Sequence, residues 1–377
     1  MKKVYLDNAA TTPMFSEVVE TMAKSLGNIF GNPSSTHSFG RSAKAVIENA
    51  RKSIAKLLVC STSELVFTSG GTEADNLILK NAVYNLNVTH IITSKLEHHA
   101  VLHTVAFLET KGIQISYVDV KDNGTIDYDH LEELLKSTTQ KTLISLMHVN
   151  NEIGTILEVK KVVCLKKQYN ALFHSDTVQS VGHFDINLNE LGIDFITAAA
   201  HKFHGPKGVG FAFFRKGTGI YPEILGGEQE RGTRAGTENT AAIVGMEKAL
   251  SLSLGNLESD IVYLKDLKNY FINQLKTHIV SVKFNGVSNN LTKSTHTIVS
   301  VQFAKELPML LFQLDLKGIA VSGGSACQSG SHKGSHVLQS FLKTEEQIHT
   351  SVRFSFSKLT VKDEVDYAIE QLKYLVL

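Results

Sequence analysis

The chain has few cysteines, almost no net charge and no long apolar run. Cys60, Cys164 and Cys327 lie far apart, form no CxxC pair and are odd in number, which argues against a disulfide framework and against a zinc site. Lysine plus arginine, 38, nearly cancels aspartate plus glutamate, 37, leaving a formal charge of +1. The broad positive field that non-specific nucleic-acid binding requires is therefore missing. The longest apolar stretches, Leu143 to Val149 and Leu307 to Leu314, stop well short of the roughly 18 residues of a membrane helix. In the opening MKKVYLDNAATTP, three largely apolar residues separate the lysines from Asp7, too few for a signal-peptide core. A soluble, cytoplasmic protein that touches neither membrane nor nucleic acid directly is expected. The phosphate loop GxxxxGK[ST] and a well-placed GxGxxG are both absent, so a nucleotide is not the natural guest. There is no internal repeat, and the nearest approach to low complexity is SGGSACQSGSHKGS at 322–335, whose Gly and Ser content predicts mobility.

What is present is an ordinary globular composition, 42% hydrophobic and 20% charged over 377 residues, long enough for two domains with a cleft between them at ~100–200 residues per domain. From about residue 65 to 214, short β-rich runs alternate with helical patterns: LVFT, THIITS, IQISYV, TLISLMHV, ALFHSD, DFITAAA and GVGFAFF. Strands separated by helices imply an α/β fold with a mostly parallel sheet. Such sheets bind ligands outside the carboxyl ends of their strands. Helical spacing in the stretch at about 251–279, and again in TVKDEVDYAIEQLKYLVL at the end, is expected to frame a second, smaller domain.

Three of the strand ends carry chemistry. LVFT runs into SGGTEADN, where a helix start plus the Thr72 hydroxyl can take a phosphate, although an ordinary strand-to-helix turn capped by Ser69 or Thr72 reads the same way. ALFHSD ends on Asp176, with Gln179 three residues on. A carboxylate there could keep a pyridinium nitrogen protonated and so make a pyridoxal ring an electron sink, or it could simply cap a helix. DFITAAA ends in HKFHGPKG, where a partly desolvated Lys202 could form a Schiff base. A lone loop lysine is usually a solvated charge. The order of phosphate cup, Asp and Lys on successive strand ends argues for the chemical reading.

Nine segments, YLDNAATTP, GNPSSTHSFG, FTSGGTEADN, MHVNNEIGT, HSDTVQSVG, HKFHGPKGVG, QERGTRAGTEN, SGGSAC and VRFS, run in order from residue 5 to 356. Together they resemble the NifS-like cysteine desulfurases of the class V aminotransferase group. The resemblance implies pyridoxal-phosphate fold type I, with a large domain at 13–252 built on a seven-stranded sheet. A small domain at 1–12 and 253–377 would carry the loop 322–335, and two chains would form a homodimer. It implies that Lys202 carries pyridoxal 5'-phosphate, Asp176 faces the pyridine nitrogen and His98 stacks on the ring. Gln179 and Asn151 would bond the phenolic-oxygen side, and Gly71, Thr72 and His201 the phosphate, with Thr237 reaching the phosphate of the neighbouring subunit. Arg353 would pair with the substrate carboxylate, for which a bidentate donor is apt. The implied reaction converts L-cysteine to L-alanine and leaves a persulfide on Cys327, with His98 as acid–base for the thiols. The sulfur would pass to a protein acceptor, an iron–sulfur scaffold or a tRNA-thiolating enzyme. The competing readings are a related class V aminotransferase, a selenocysteine lyase, or an inactive pyridoxal-fold subunit that binds partners.

Cys327 stands apart because its Gly/Ser-rich loop has no apolar periodicity. Free cysteine, with pKa about 8.5, is only a few per cent thiolate at neutral pH, yet the thiolate is a strong nucleophile. SGGSACQSGS resembles the longer catalytic loop of the housekeeping subgroup. Cys60 and Cys164, in KLLVC and VVCLKK, are expected to be core fillers. The chain also departs from the family. Ala199 stands where a phosphate-binding hydroxyl is usual, which predicts weaker cofactor retention. Glu228 replaces a glycine before QERG. The sequence ends at Leu377 without the long tail of scaffold-binding members, which argues against that partner.

Overall fold

The computed structural model describes residues 2–323 and 334–376. Its strands, in chain order, are β1 (Val4–Tyr5), β2 (Leu65–Thr68), β3 (His90–Ser94), β4 (Gln114–Val118), β5 (Thr142–Ser145), β6 (Leu172–Asp176), β7 (Phe195–Ala199), β8 (Gly210–Phe214), β9 (Lys283–Phe284), β10 (Ile298–Gln302), β11 (Ile319–Ala320) and β12 (Ser351–Ser355). Seven of them form one sheet in the order β2-β8-β7-β6-β5-β3-β4. Pairing is parallel from β7 through β6, β5 and β3 to β4, and β8 runs antiparallel to both β2 and β7. The seven apolar runs expected from the sequence therefore all supply strands of one sheet.

Every residue of β2, β3, β5, β7 and β8 is buried, as continuous apolar runs in a sheet covered on both faces should be. One covering layer includes Ala74, Leu77 and Ile78 of the helix Gly71–Tyr84 with Val101 and Val105 of the helix His99–Glu109. The other includes Ile47, Ile54, Val162 and Met246. The edge strand β4, paired only with β3, has a partly exposed surface. A separate apolar cluster joins Val4 and Leu6 to residues between Leu264 and Val376. It packs around the antiparallel sheet β12-β10-β9 and the parallel pair β1-β11. The amino terminus thus reaches the carboxyl-terminal part, and Asp7 bridges to Ser355 of β12.

Two local expectations are corrected. The helical stretch read at 251–279 is two helices, Thr240–Gly255 and Leu257–His278, broken at Asn256, where a Gly–Asn pair favours termination. Cys164 is not a core filler but exposed. Its helix Val159–Gln168 buries Val159, Val162 and Val163, and the helical period turns the next position outward. Cys60 does pack against the core, and burial followed by the nearby Glu64 pushes its thiol up to about 12. No described helix is long and apolar enough to cross a membrane.

Candidate active site

The loops after β2, β6 and β7 meet the segment Asp7–Thr12 and strand β12 around a cavity of about 340 Å³. The backbone shapes its first wall. Gly70 has φ 154 and ψ −172, a region open essentially to glycine alone, and it launches the helix Gly71–Tyr84 at the cavity. A Cβ on Gly71 would stand 2.8 Å from Val178 Cγ2, so a larger residue would push into the floor. The N–H groups of this first helical turn lack intrahelical partners and suit an anion.

Asp176 closes β6, is 5% exposed, and accepts the Val178 N–H on Oδ1 at 2.9 Å. Burial, then the charge of Asp75, pushes its carboxyl up to about 7. Lys202 ends the short turn after β7 and donates from Nζ to the carbonyls of Ala9, 2.6 Å, and Ala10, 2.9 Å. The Ala9 carbonyl also accepts Gln179 Nε2 at 2.9 Å. His98 caps the helix His99–Glu109, its Nδ1 accepting the Ala100 N–H at 3.1 Å. That bond puts the proton of the neutral ring on Nε2. Burial, then the charge of Lys202, lowers the ring to about 4. His201 pairs its Nδ1 with Thr11 Oγ1 at 3.2 Å and is likewise lowered to about 4 by burial and Lys202. Arg353 lies buried on β12, donating to Asp7 Oδ1 and the Asn151 carbonyl, each at 2.8 Å, while its Nε has no hydrogen-bond partner among the described residues.

Nine of the residues singled out in the sequence therefore line one cavity: Gly71, Thr72, His98, Asn151, Asp176, Gln179, His201, Lys202 and Arg353. Thr237 does not; it is exposed and outside the cavity of its own chain. Cys327 lies outside the described residues. Glu228 is exposed and away from the cavity. The sequence reading missed Ala9, Ala10, Asp75, Glu152 and His336, which also line it. For Asp75 a signal existed: it follows Gly71 by four residues, one helical turn on the same face.

The profile of the aminotransferase class-V family matches residues 4–368. The chain belongs to that family. Among class-V relatives, a cysteine desulfurase IscS from Dictyoglomus turgidum is 44% identical over the whole of this chain and 95% of its own length. A solved NifS-like protein superposes with a TM-score of 0.91 at 35% identity, covering 99% of each chain. A structure described as SspA in complex with cysteine has a TM-score of 0.82 at 30% identity, covering 95% of this chain and all of that one.

Pyridoxal 5'-phosphate is the cofactor that membership of this class-V family implies, and the residues present fit it. The cavity has the size of a small-molecule site. It offers a glycine-cleared helix start for a phosphate, a buried carboxyl for a ring nitrogen and a primary amine for an aldehyde. One part is missing at the phosphate end. Ala199, 2% exposed, ends β7 on the cavity wall with its Cβ 3.8 Å from the place of a Gly71 Cβ, and it brings no donor. A hydrogen bond to a charged group contributes about 1.5–3 kcal/mol, so Ala199→Ser should slow cofactor loss on dialysis by about tenfold or more. Equal or faster loss would show that a hydroxyl at this position does not reach the phosphate.

Proposed function

We propose that the chain is a pyridoxal-phosphate-dependent cysteine desulfurase that moves the sulfur of L-cysteine onto Cys327 and releases L-alanine. The observation that carries this reading is the convergence of Lys202, Asp176, His98, Arg353 and the Gly71 helix start on one cavity, in a chain similar throughout to cysteine desulfurases. The cofactor, when bound, supplies an electron sink for the substrate α-carbon. Everything else is the work of the chain's own residues.

Lys202 would hold the cofactor and its Nζ would move the substrate α-proton, with Asp176 keeping the ring nitrogen protonated. Gly71, Thr72 and His201 would hold the phosphate, and Asn151 and Gln179 would orient the phenolic-oxygen side. Arg353 spends one N–H on Asp7 and one on Asn151, which leaves donors of its fork for the substrate carboxylate. The Cys327 thiolate would attack the substrate sulfur: the S–S bond forms as the C–S bond breaks, and the carbon is protonated to give alanine. His98, lowered to about 4, is neutral at physiological pH and is a proton acceptor for a thiol before it can be a donor. The persulfide sulfur then passes to a protein acceptor, an iron–sulfur scaffold or a tRNA-thiolating enzyme.

The large domain would be 13–252, with 1–12 and 253–377 forming the small one. A homodimer would bring Thr237 to the partner's phosphate. In its support, Thr237 is exposed and outside the cavity of its own chain, and exposed apolar groups such as Phe30 and Leu225 invite a cover. Purified protein loaded with pyridoxal phosphate should absorb at about 400 nm, sediment as a dimer, and form alanine and persulfide from L-cysteine. Loaded protein that leaves cysteine intact would overturn the reading.

A further inference from the structure

Under the cavity floor Asp176 belongs to a row of buried polar side chains whose other members have no role in the account so far. Side chains alternate between the faces of a strand, and neighbours in register share a face. Ser145 of β5 is the partner of His174 on β6, and Thr197 of β7 is the partner of Asp176, so Ser145, His174, Asp176 and Thr197 stand together. Asp75 comes down onto them from the helix Gly71–Tyr84. Thr197 Oγ1 donates to Asp75 Oδ1 at 2.8 Å, and His174 Nε2 lies 3.2 Å from Thr197 Oγ1 and 3.4 Å from Asp75 Oδ1. The other nitrogen, His174 Nδ1, is 2.9 Å from Ser145 Oγ.

These bonds assign the protons when Asp75 is ionised. Thr197 gives its only proton to Asp75, so the imidazole nitrogen facing the two must also donate, and Nδ1 accepts from Ser145. His174 is then neutral, in keeping with burial, which lowers it to about 4. Asp75 Oδ1 accepts the Thr197 hydroxyl, whose oxygen in turn accepts from His174 Nε2, and among the described residues no lysine or arginine is paired with Asp75. Asp75 is 1% exposed and lines the same cavity as Asp176.

We propose that Asp75 is a positioning residue of the cofactor site, a second carboxylate whose negative charge, acting through the neighbouring Asp176, keeps the cofactor's ring nitrogen protonated. The inference rests on the reading of the cavity as a pyridoxal-phosphate site. Across the cavity Lys202 faces the pair of carboxylates, and its charge acts to lower the Asp176 carboxyl against the effect of burial and Asp75. From β6 the titratable neighbours are His174 and Asp176; β2, β7 and β8 present none. Glu97, before the helix His99–Glu109, accepts the Met147 N–H and is pushed well above the usual carboxylate range, first by burial and then by the charges of Asp176 and Asp75. His99 and His103 of that helix lie ring against ring in a tilted pair, and His99 is likewise tilted against His336. On its own helix, Glu73 is turned to Arg234. Burial pushes Asp75 itself up to about 7, so its charge develops in the physiological range. Negative charge next to a protonated ring raises the affinity of the conjugated system for protons.

The test is a pH titration of the bound cofactor's absorbance in fully loaded protein. Asp75→Asn keeps the size and an acceptor for Thr197 but removes the charge, and the protonation midpoint should fall by roughly one pH unit. A midpoint that stays or rises in the loaded variant would overturn the proposal. If Asp75→Asn does not fold, Thr197→Val carries the same test: it keeps the shape, deprives ionised Asp75 of its donor, and should move the midpoint in the same direction by less. An unmoved midpoint there would also overturn it. A wild-type protein that takes up no pyridoxal phosphate is a different result, since it removes the parent reading.

Discussion

Lys202→Ala is expected to bring alanine formation from L-cysteine down to background, a loss on the order of 10³-fold or more, because one side chain serves both as covalent tether and as proton carrier. The fold should survive. Lys202 is bonded through Nζ to the backbone carbonyls of Ala9 and Ala10, and those carbonyls lose a charged donor in the variant. Ala9 keeps the Gln179 amide as a partner. A thermal unfolding midpoint close to wild type, the loss of absorbance at about 400 nm and the absence of alanine would together form the expected result. Retained turnover would sink the assignment of the site, and a collapsed fold would be visible in the same melting curve.

Cys327→Ser is expected to separate cofactor chemistry from sulfur transfer. The cavity that would bind cofactor and substrate is assembled from Lys202, Asp176, Arg353 and the helix start at Gly71, and the substitution alters none of them. Serine is nearly isosteric with cysteine, but its hydroxyl is scarcely ionised at neutral pH and is a poor nucleophile toward sulfur. The variant should take up the cofactor, change its absorbance when L-cysteine is added, and yield neither alanine nor protein persulfide above background. The other two thiols are the controls. Cys60 is pushed up to about 12 by burial and Glu64, which leaves little thiolate near neutral pH, and lies outside the cavity; Cys164 is exposed on its helix but also lies outside the cavity. Serine at either position should leave turnover largely unchanged. Desulfuration by Cys327→Ser at the wild-type rate, or persulfide on Cys60 or Cys164 in the intact enzyme, would overturn the proposed route of sulfur.

The sequence by itself determined the sheet and most of the cavity wall. Seven apolar runs of strand length, separated by polar and helical segments, are best covered on both faces as a mostly parallel sheet, and the chemistry then falls at the strand ends where Asp176 and Lys202 stand. Local patterns carry that much because strand period and turn chemistry are properties of neighbours in the chain. Contacts between distant segments are not. Only the tertiary structure places Ala9 and Ala10 against Lys202, 193 and 192 positions away in sequence, or gives Arg353 to Asp7 across 346 positions. Whether Cys164 faced in or out was decided by which side of its helix met the sheet, and the short context VVCLKK does not specify that side. Asp75 shows the same division: its spacing from Gly71 is written in the sequence, but its burial against Thr197 and His174 exists only because the helix lies across β6 and β7. A carboxylate reads as a solvated charge until the fold takes its water away, and that desolvation is a property of the packed structure alone.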